Sequence, residues 1–251
     1  MKLSVILPTY NEAENIVELI NTIIRNIPSY WGHEIIVADD NSPDGTYLAV
    51  QDSFRDNEAI IPLLRTTERG LAKSIRAGIE RARGDQILVM DTDFTHDPIE
   101  VPKMLHVGQV YDIVSASRFC QGGNMEDTRH YLASLVYNWM LRIILRTQIQ
   151  DNLGGYYTIS LQNLKRLPYD KIFYGYGEYF FRLLHYAQKN GMTLVEVPAR
   201  YRFRRKGKSK SRFFKMLFSY LVAALALSYD RRNDSFCRQH NGHFGGEKGR
   251  L

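Results

Sequence analysis

Cysteine is nearly absent. Cys120 and Cys237 are the only two in 251 residues, too few and too far apart in sequence for a disulfide framework or a zinc site, so a reducing compartment is expected. No leader is expected either: Met1-Lys2 passes directly into a short strand pattern ending at Pro8, which predicts synthesis in the cytosol. No Gly-x-Gly-x-x-Gly follows that strand and no Walker-type lysine loop occurs, which argues against a dinucleotide-binding fold and a P-loop nucleotidase. Long apolar runs are also scarce. Phe213 to Tyr229 is the most apolar stretch near the C-terminus, and with Lys215 inside it falls short of the ~20 residues that span a bilayer comfortably.

What is present suffices for a core. A chain 44% hydrophobic and 24% charged can fold as one α/β domain with a small appendage. The net charge of +6 is unevenly spread. From Arg200 to Arg212 the sequence reads RYRFRRKGKSKSR, which holds more positive charge than the whole excess and no acid. The remainder is slightly acidic, and the basic run must meet something anionic: phosphates, lipid headgroups or nucleic acid.

Short Val/Ile/Leu-rich runs at Leu3-Leu7, Glu34-Ala38, Ile60-Leu64, Gln86-Met90 and Asp112-Ser115 read as strands buried on both faces. Between them, Glu12-Arg25, Tyr47-Arg55, Leu71-Arg83 and Ile99-Val107 carry apolar residues at helical spacing. This alternation predicts a doubly wound, mostly parallel sheet with helices on both sides. Ligands of such folds bind beyond the carboxyl ends of the strands. The loops there are all polar: Pro8-Glu12, Asp39-Thr46, Arg65-Gly70, Asp91-Asp93 and Ser117-Phe119.

Asp91-Thr92-Asp93 stands out among them. Two carboxylates one residue apart at the mouth of a buried strand are a weak signal alone, since an Asp-x-Asp triplet is also an ordinary solvated loop. They are nonetheless a good seat for Mg²⁺ or Mn²⁺, hard cations that one or two carboxylates can hold when a diphosphate completes the shell.

Together the motifs resemble the family 2 inverting glycosyltransferases. The resemblance rests on Leu7-Pro8-Thr9-Tyr10-Asn11-Glu12, the Asp39–Thr46 loop, Arg69-Gly70-Leu71-Ala72-Lys73-Ser74, Asp91-Thr92-Asp93 and Ser117-Arg118-Phe119 in order. Asp151-Asn152-Leu153-Gly154-Gly155-Tyr156-Tyr157 and Arg204-x-x-Gly207-x-Ser209-Lys210 narrow it to the dolichol-phosphate or polyprenol-phosphate mannosyltransferase branch. Coverage runs over roughly residues 2 to 212. It implies a GT-A, Rossmann-like fold, a nucleotide-sugar donor and a divalent cation, Mg²⁺ or Mn²⁺. By the same resemblance Pro8, Tyr10, Glu12, Val37, Asp39 and Asp40 line the nucleotide pocket, Thr92 joins the donor site, and Asp91 and Asp93 bring the metal to the diphosphate. For Asp39 and Asp40 a helix cap and turn is the competing reading. Thr95 stands where the family more often has glutamine near the metal, leaving the third ligand open between its hydroxyl, His96 and Asp97. Arg118, Arg129, Arg204 and Lys210 are implied to contact donor diphosphate or acceptor phosphate, for which a guanidinium fork is well shaped. Asp91, Asp93, Arg118 and Arg204 are the implied catalytic set, and Asp151 joins the donor site.

A sugar hydroxyl acceptor would need a general base. A lipid monophosphate has a second pKa near ~6 and is already ionised at cellular pH, so positioning and charge screening suffice. Asp151 and Glu178 are the candidates if a base exists, or they orient sugar hydroxyls. The basic run followed by an apolar helix reads as a membrane-surface anchor, with a short spanning helix or a core helix as alternatives. These readings divide the chain into a catalytic domain (1–212), an interfacial or membrane helix (213–232) and a disordered tail (233–251). The expected function is transfer of mannose from GDP-mannose to a polyprenyl or dolichyl phosphate at the cytoplasmic face of a membrane, where small membrane helper subunits could join. A UDP-sugar donor or a glycan hydroxyl acceptor is the rival within the class. Nucleic-acid binding is disfavoured, because the aromatics beside the charge form an apolar helix rather than a stacking platform. A catalytically silent membrane scaffold is the third alternative.

Overall fold

The computed structural model describes residues 1–203 and 217–229. Its strands are β1 (Lys2–Thr9), β2 (Gly32–Asp39), β3 (Ile60–Leu64), β4 (Gln86–Val89), β5 (Ile113–Ser117), β6 (Asn124–Met125), β7 (Tyr157–Ser160), β8 (Leu194–Pro198) and β9 (Arg200–Tyr201). The α-helices are α1 (Ile16–Asn26), α2 (Thr46–Ser53), α3 (Leu71–Arg81), α4 (Val101–Val107), α5 (Thr128–Leu145), the single turns α6 (Leu161–Leu164) and α7 (Tyr169–Ile172), and α8 (Tyr179–Lys189). Residues 217–229 form a further helix, here α9. Residues 204–216 and 230–251, and with them the expected boundaries at 212 and 232 and the expected tail, lie outside the described residues.

Seven strands form one sheet in the order β3-β2-β1-β4-β7-β5-β8. All pairings are parallel except those of β7, which runs antiparallel between β4 and β5. Strands β1 to β5 therefore share a direction, and the five polar loops fall on one edge, as the sequence predicts. Alternation along β1 explains the two-sided core. Leu3, Val5 and Leu7 pack with α1, α2 and α4 on one face, while Ile6 packs with α3, α5 and α8 on the other.

Helix boundaries differ from expectation where polar side chains intervene. The helix predicted from Glu12 starts at Ile16, because Glu12 closes a turn whose carbonyl accepts from the Asn15 and Ile16 N–H groups. The helix predicted from Ile99 begins as a 3-10 turn over Pro98–Glu100, capped by Asp97, before α4 proper. The antiparallel β7 and the edge strand β8 were not among the expected strands.

At the sheet edge opposite the cleft, Glu34 ties β2 to β1. It is 3% exposed and accepts from Ser4 Oγ at 2.6 Å, the Arg83 backbone N–H at 2.6 Å and Lys2 Nζ at 2.6 Å. Burial alone would raise its pKa, but the bonds from Lys2, Ser4 and Arg83 outweigh it and hold the carboxyl below its ordinary range. A depressed folded pKa contributes stability above the unfolded value, and that contribution is lost as pH falls through the folded one. Glu34→Gln is expected to cost about 1–3 kcal/mol in urea unfolding at pH 7. The gap to the native chain should narrow as pH drops from about 5 to about 3.

Candidate functional site

The five strand ends open into a cleft of about 630 Å³. Each loop contributes: Pro8, Tyr10 and Glu12 after β1, Asp40 after β2, Arg69 and Gly70 after β3, Asp91 to Asp93 after β4, and Arg118 after β5. The placement follows the rule for open α/β sheets, where the strand termini leave unpaired backbone and room for a ligand.

The β4 loop is tightly wound. Asp93 is 4% exposed, and its Oδ1 accepts from the Thr95 backbone N–H at 3.0 Å and from Thr95 Oγ1 at 2.6 Å. Thr95 thus holds Asp93 in place, and its hydroxyl proton is directed at that carboxylate. Between them Phe94 adopts φ 65°, a left-handed conformation rare for a bulky residue, with its ring buried in the core. Asp91 is the outer acid, with 48% of its side chain exposed. The Asp91 backbone N–H donates to His96 Nδ1 at 2.9 Å, which leaves Nε2 on the side of the Asp91 carboxylate, 3.8 Å from Oδ2. His96 is buried, stacked on Tyr156 at 4.8 Å and set edge-on to Tyr201 at 4.7 Å. Among the described residues no group of three His, Cys, Asp or Glu side chains gathers to hold a metal. The acids at hand fit a cation that draws further oxygen ligands from a substrate.

Arg118 and Asp151 form the electrostatic centre of the site. Arg118 Nε donates to Asp151 Oδ2 at 2.8 Å and Nη2 to Oδ1 at 2.7 Å, a bidentate pair with Asp151 wholly buried. Burial works against the guanidinium charge, yet Asp151 more than offsets it and the Arg118 pKa is raised. The guanidinium also lies 4.9 Å over the Tyr201 ring and 5.0 Å over Phe119. Nη1, 4.0 Å from the Met125 sulfur, is the part of the fork that Asp151 leaves for an anion. Asp151 therefore orients Arg118 and does not itself line the cleft.

The remaining expected residues divide. Pro8, Tyr10, Glu12, Asp40, Thr92 and Thr95 line the cleft with Asp91, Asp93 and Arg118. Asp39 does not: it is fully buried, accepting from Thr9 Oγ1 at 2.9 Å and from the Ser42 backbone N–H at 2.8 Å, so it shapes the loop from below. Val37 lies two residues inside the strand, in the core. Asp40 accepts from Arg65 and from the Gly70 N–H at 2.7 Å, joining the β2 and β3 loops. Neither acid caps α2, whose first turn is tied by Asp44 Oδ1 to the Thr46 N–H at 3.0 Å. Arg129 stands in the first turn of α5. Arg204 and Lys210 lie outside the described residues. Glu178, the other candidate base, accepts from the Tyr176 N–H at 2.9 Å and sits 3.6 Å from Arg182.

Sequence reasoning missed the opposite wall. His130, Ser134 and Tyr137 of α5, the Tyr176–Gly177 turn, and Leu217 and Tyr220 of α9 close the cleft. No short motif marks them, since they come from distant helices. The 3.6-residue periodicity of α5 was the available signal, weakened because apolar residues occupy both its faces.

An α/β sheet with an Asp-x-Asp at the end of a central strand, beside a buried arginine and a cleft of this size, is the arrangement expected of a GT-A glycosyltransferase. The family model for glycosyl transferase family 2 matches residues 4–173, and the chain belongs to that family. It is 32% identical over 228 residues to the dolichol-phosphate mannosyltransferase of Pyrococcus furiosus, covering 88% of this chain and 62% of that protein. The chain thus spans less than two thirds of this archaeal relative. It is 31% identical to the undecaprenyl-phosphate mannosyltransferase of Micrococcus luteus, over 84% of this chain and 87% of the relative. It is 32% identical to the polyprenol monophosphomannose synthase of Mycolicibacterium smegmatis, over 82% and 79%. The fold is shared with glucosyl-3-phosphoglycerate synthase of Mycobacterium tuberculosis, solved with Mn²⁺, UDP and phosphoglyceric acid. That likeness has a TM-score of 0.71 at 18% identity and covers 90% of this chain and 78% of that one.

Arg118→Met would strand the Asp151 carboxylate in a buried site. It is expected to lower unfolding free energy by about 3–5 kcal/mol, read by chemical denaturation. The double change Arg118→Met with Asp151→Leu should recover most of that loss while leaving transferase activity low.

Proposed function

We propose that this cleft transfers mannose from GDP-mannose, with inversion, to a polyprenyl or dolichyl monophosphate at the cytoplasmic face of a membrane. One observation carries the reading. The cleft that begins at the Asp91–Asp93 strand end finishes against α5 and α9, two helices joined by Tyr137 Oη donating to the Leu217 carbonyl at 2.5 Å. Both helices expose apolar side chains at matching intervals: Leu132, Val136, Trp139 and Ile143 on α5, and Phe218, Val222, Leu225 and Tyr229 on α9. The polar cleft thus ends on two helices whose inner residues line it and whose outer faces are apolar, which places a lipid-compatible surface beside the strand ends. The functions named for the three mannosyltransferase relatives support the same acceptor class.

Among the described residues no helix is long and apolar enough to cross a membrane. The division favoured is a catalytic domain over 1–212 and an interfacial segment over 213–232 whose described part is α9, with the basic run of 200–212 attracted to anionic headgroups.

Asp91 and Asp93 would hold Mg²⁺ or Mn²⁺, and a cation so held neutralises charge on a departing diphosphate. Pro8, Tyr10 and Glu12 border the space for the nucleoside, with Asp40 bracing the loops beneath it. Arg118, oriented by Asp151, offers Nη1 to a phosphate oxygen, and Arg129, Arg204 and Lys210 supply further charge for donor or acceptor. Asp151 and Glu178 are both engaged internally, which supports a nucleophile that arrives already ionised: the lipid phosphate oxygen attacks the anomeric carbon from the face opposite the leaving diphosphate.

Incubation with labelled GDP-mannose, Mn²⁺ and undecaprenyl phosphate is expected to label the lipid fraction. Labelling of a saccharide instead, or a preference for UDP-glucose, would overturn the acceptor or the donor respectively. Asp91→Asn and Asp93→Asn should each cut turnover by about two to three orders of magnitude. In liposome flotation, Trp139→Ala combined with Phe218→Ala should reduce vesicle binding, most clearly at high salt where the basic run is screened.

A further inference from the structure

The segment Phe173 to Glu178 joins α7 to α8 and stands where the two halves of the cleft meet. Its Gly175 carbonyl faces Gly70, at the N-terminus of α3 on the donor side, in ordinary contact range, 3.7 Å from where a β-carbon on Gly70 would lie. On the other side Gly177 packs under Tyr220 of α9, where a β-carbon would lie 2.4 Å from the phenol oxygen. Tyr220 is 4% exposed and interacts with the Gly177 backbone N–H. Tyr176 and Gly177 face the cleft between these two contacts.

Two charged residues hold this turn from behind. Glu178 accepts from the Tyr176 N–H at 2.9 Å, and Arg182, one helical turn on, donates from Nη1 to the Tyr174 carbonyl at 2.7 Å. The Arg182 guanidinium carbon also lies over the Tyr174 ring, 3.6 Å from its centroid. As a device for stability the pair is poor. Arg182 is 3% exposed, its Nε has no hydrogen-bond partner among the described residues, and its separation from Glu178 is a long 3.6 Å. Burial pulls the guanidinium pKa down despite Tyr174 and Glu178. Buried pairs of this kind contribute little net stability, whereas their fixed geometry can specify a local conformation.

We propose that Glu178 and Arg182 are positioning residues for the acceptor: they fix the Tyr174–Gly177 turn against Tyr220, so that the turn and α9 form one continuous wall for the lipid phosphate. The inference rests on the proposed transfer to a polyprenyl phosphate. It gives Glu178 a role distinct from a base, acting on the Tyr176 backbone while Arg182 acts on that of Tyr174, and never on the reacting atoms. It also makes seating of α9 and shaping of the acceptor half a single event, because α9 touches the turn directly through Tyr220.

The test uses the full chain with GDP-mannose and citronellyl phosphate in detergent, alongside calorimetric binding of GDP with Mn²⁺. Glu178→Gln and Arg182→Met are expected to raise the acceptor KM about five- to tenfold, the cost of one or two hydrogen bonds. The dissociation constant for GDP with Mn²⁺ and the value of kcat should stay within about twofold of the native values. Arg182→Lys, which keeps charge but not the fork, should fall between. Gly177→Ala should raise acceptor KM in the same way without touching the ion pair, and Tyr220→Phe in the Gly177→Ala background should restore part of it by removing the clashing oxygen. An unchanged acceptor KM, or a rise matched by weaker GDP binding, overturns the positioning role. Absence of any lipid-linked product from the native chain would instead overturn the proposed function.

Discussion

Arg118 and Asp151 are buried together, and the rest of the site is arranged around the need to keep that pair satisfied. A wholly buried carboxylate survives only with its oxygens bonded, and Asp151 takes its bonds from both arms of the fork and from the Arg118 backbone N–H at 3.2 Å. The guanidinium is covered by Tyr201, whose hydroxyl reaches the Ala116 and Gly154 carbonyls at 3.2 and 3.3 Å. Tyr201 in turn meets His96, and His96 accepts from the Asp91 backbone. Ion pair, aromatic ring and imidazole thus form a continuous chain of contact from the β5 loop to the outer acid of the β4 loop. An error in one part would be felt at the other, because none of these groups has solvent to fall back on.

That same chain brings the basic segment to the site. Residues 199 to 202 bond to two of the strand-end loops: the Ala199 N–H to Ser117 after β5, and the Arg202 N–H to Thr95 and side chain to Asp97 at 2.6 Å, both after β4. The RYRFRRKGKSKSR run therefore leaves the described structure directly beside Asp91 and Arg118. Sequence alone marked the run as needing an anion. The structure adds that its first residues are paired into the loop holding the two acids.

Local signals carried most of what was legible in the sequence. The five strand-end loops were readable because buried parallel strands are apolar throughout and stop abruptly at polar residues, and their common edge followed from the handedness of βαβ crossovers. Asp91, Asp93 and Arg118 were readable as parts of those loops. Asp39, Val37 and Asp151 were expected to line the pocket and instead support it from within. At the end of β2 one step separates buried Asp39 from cleft-lining Asp40, and a motif records neither that turn nor the inward placing of Val37 within the strand and of Asp151 in the loop before β7. The antiparallel β7 and the helices of the far wall were less legible, since their neighbours are set by contacts across long sequence separations rather than by local pattern.

Helix α9 shows why the C-terminal apolar stretch resisted a single assignment. Its described part buries Tyr220, Ala224 and Leu227 in the core cluster around α5 and α8, and exposes Phe218, Val222, Leu225 and Tyr229. The helix thus packs on the core by one face and presents an apolar outer face by the other, and apolar residues all round are what such a helix requires. On the proposed function, a helix packed on the domain by one face and facing lipid with the other would fix the height of the cleft above a membrane. The packing of Tyr220, Ala224 and Leu227 would then govern how a lipid phosphate reaches the strand ends, although none of the three is near the Asp91–Asp93 pair in sequence.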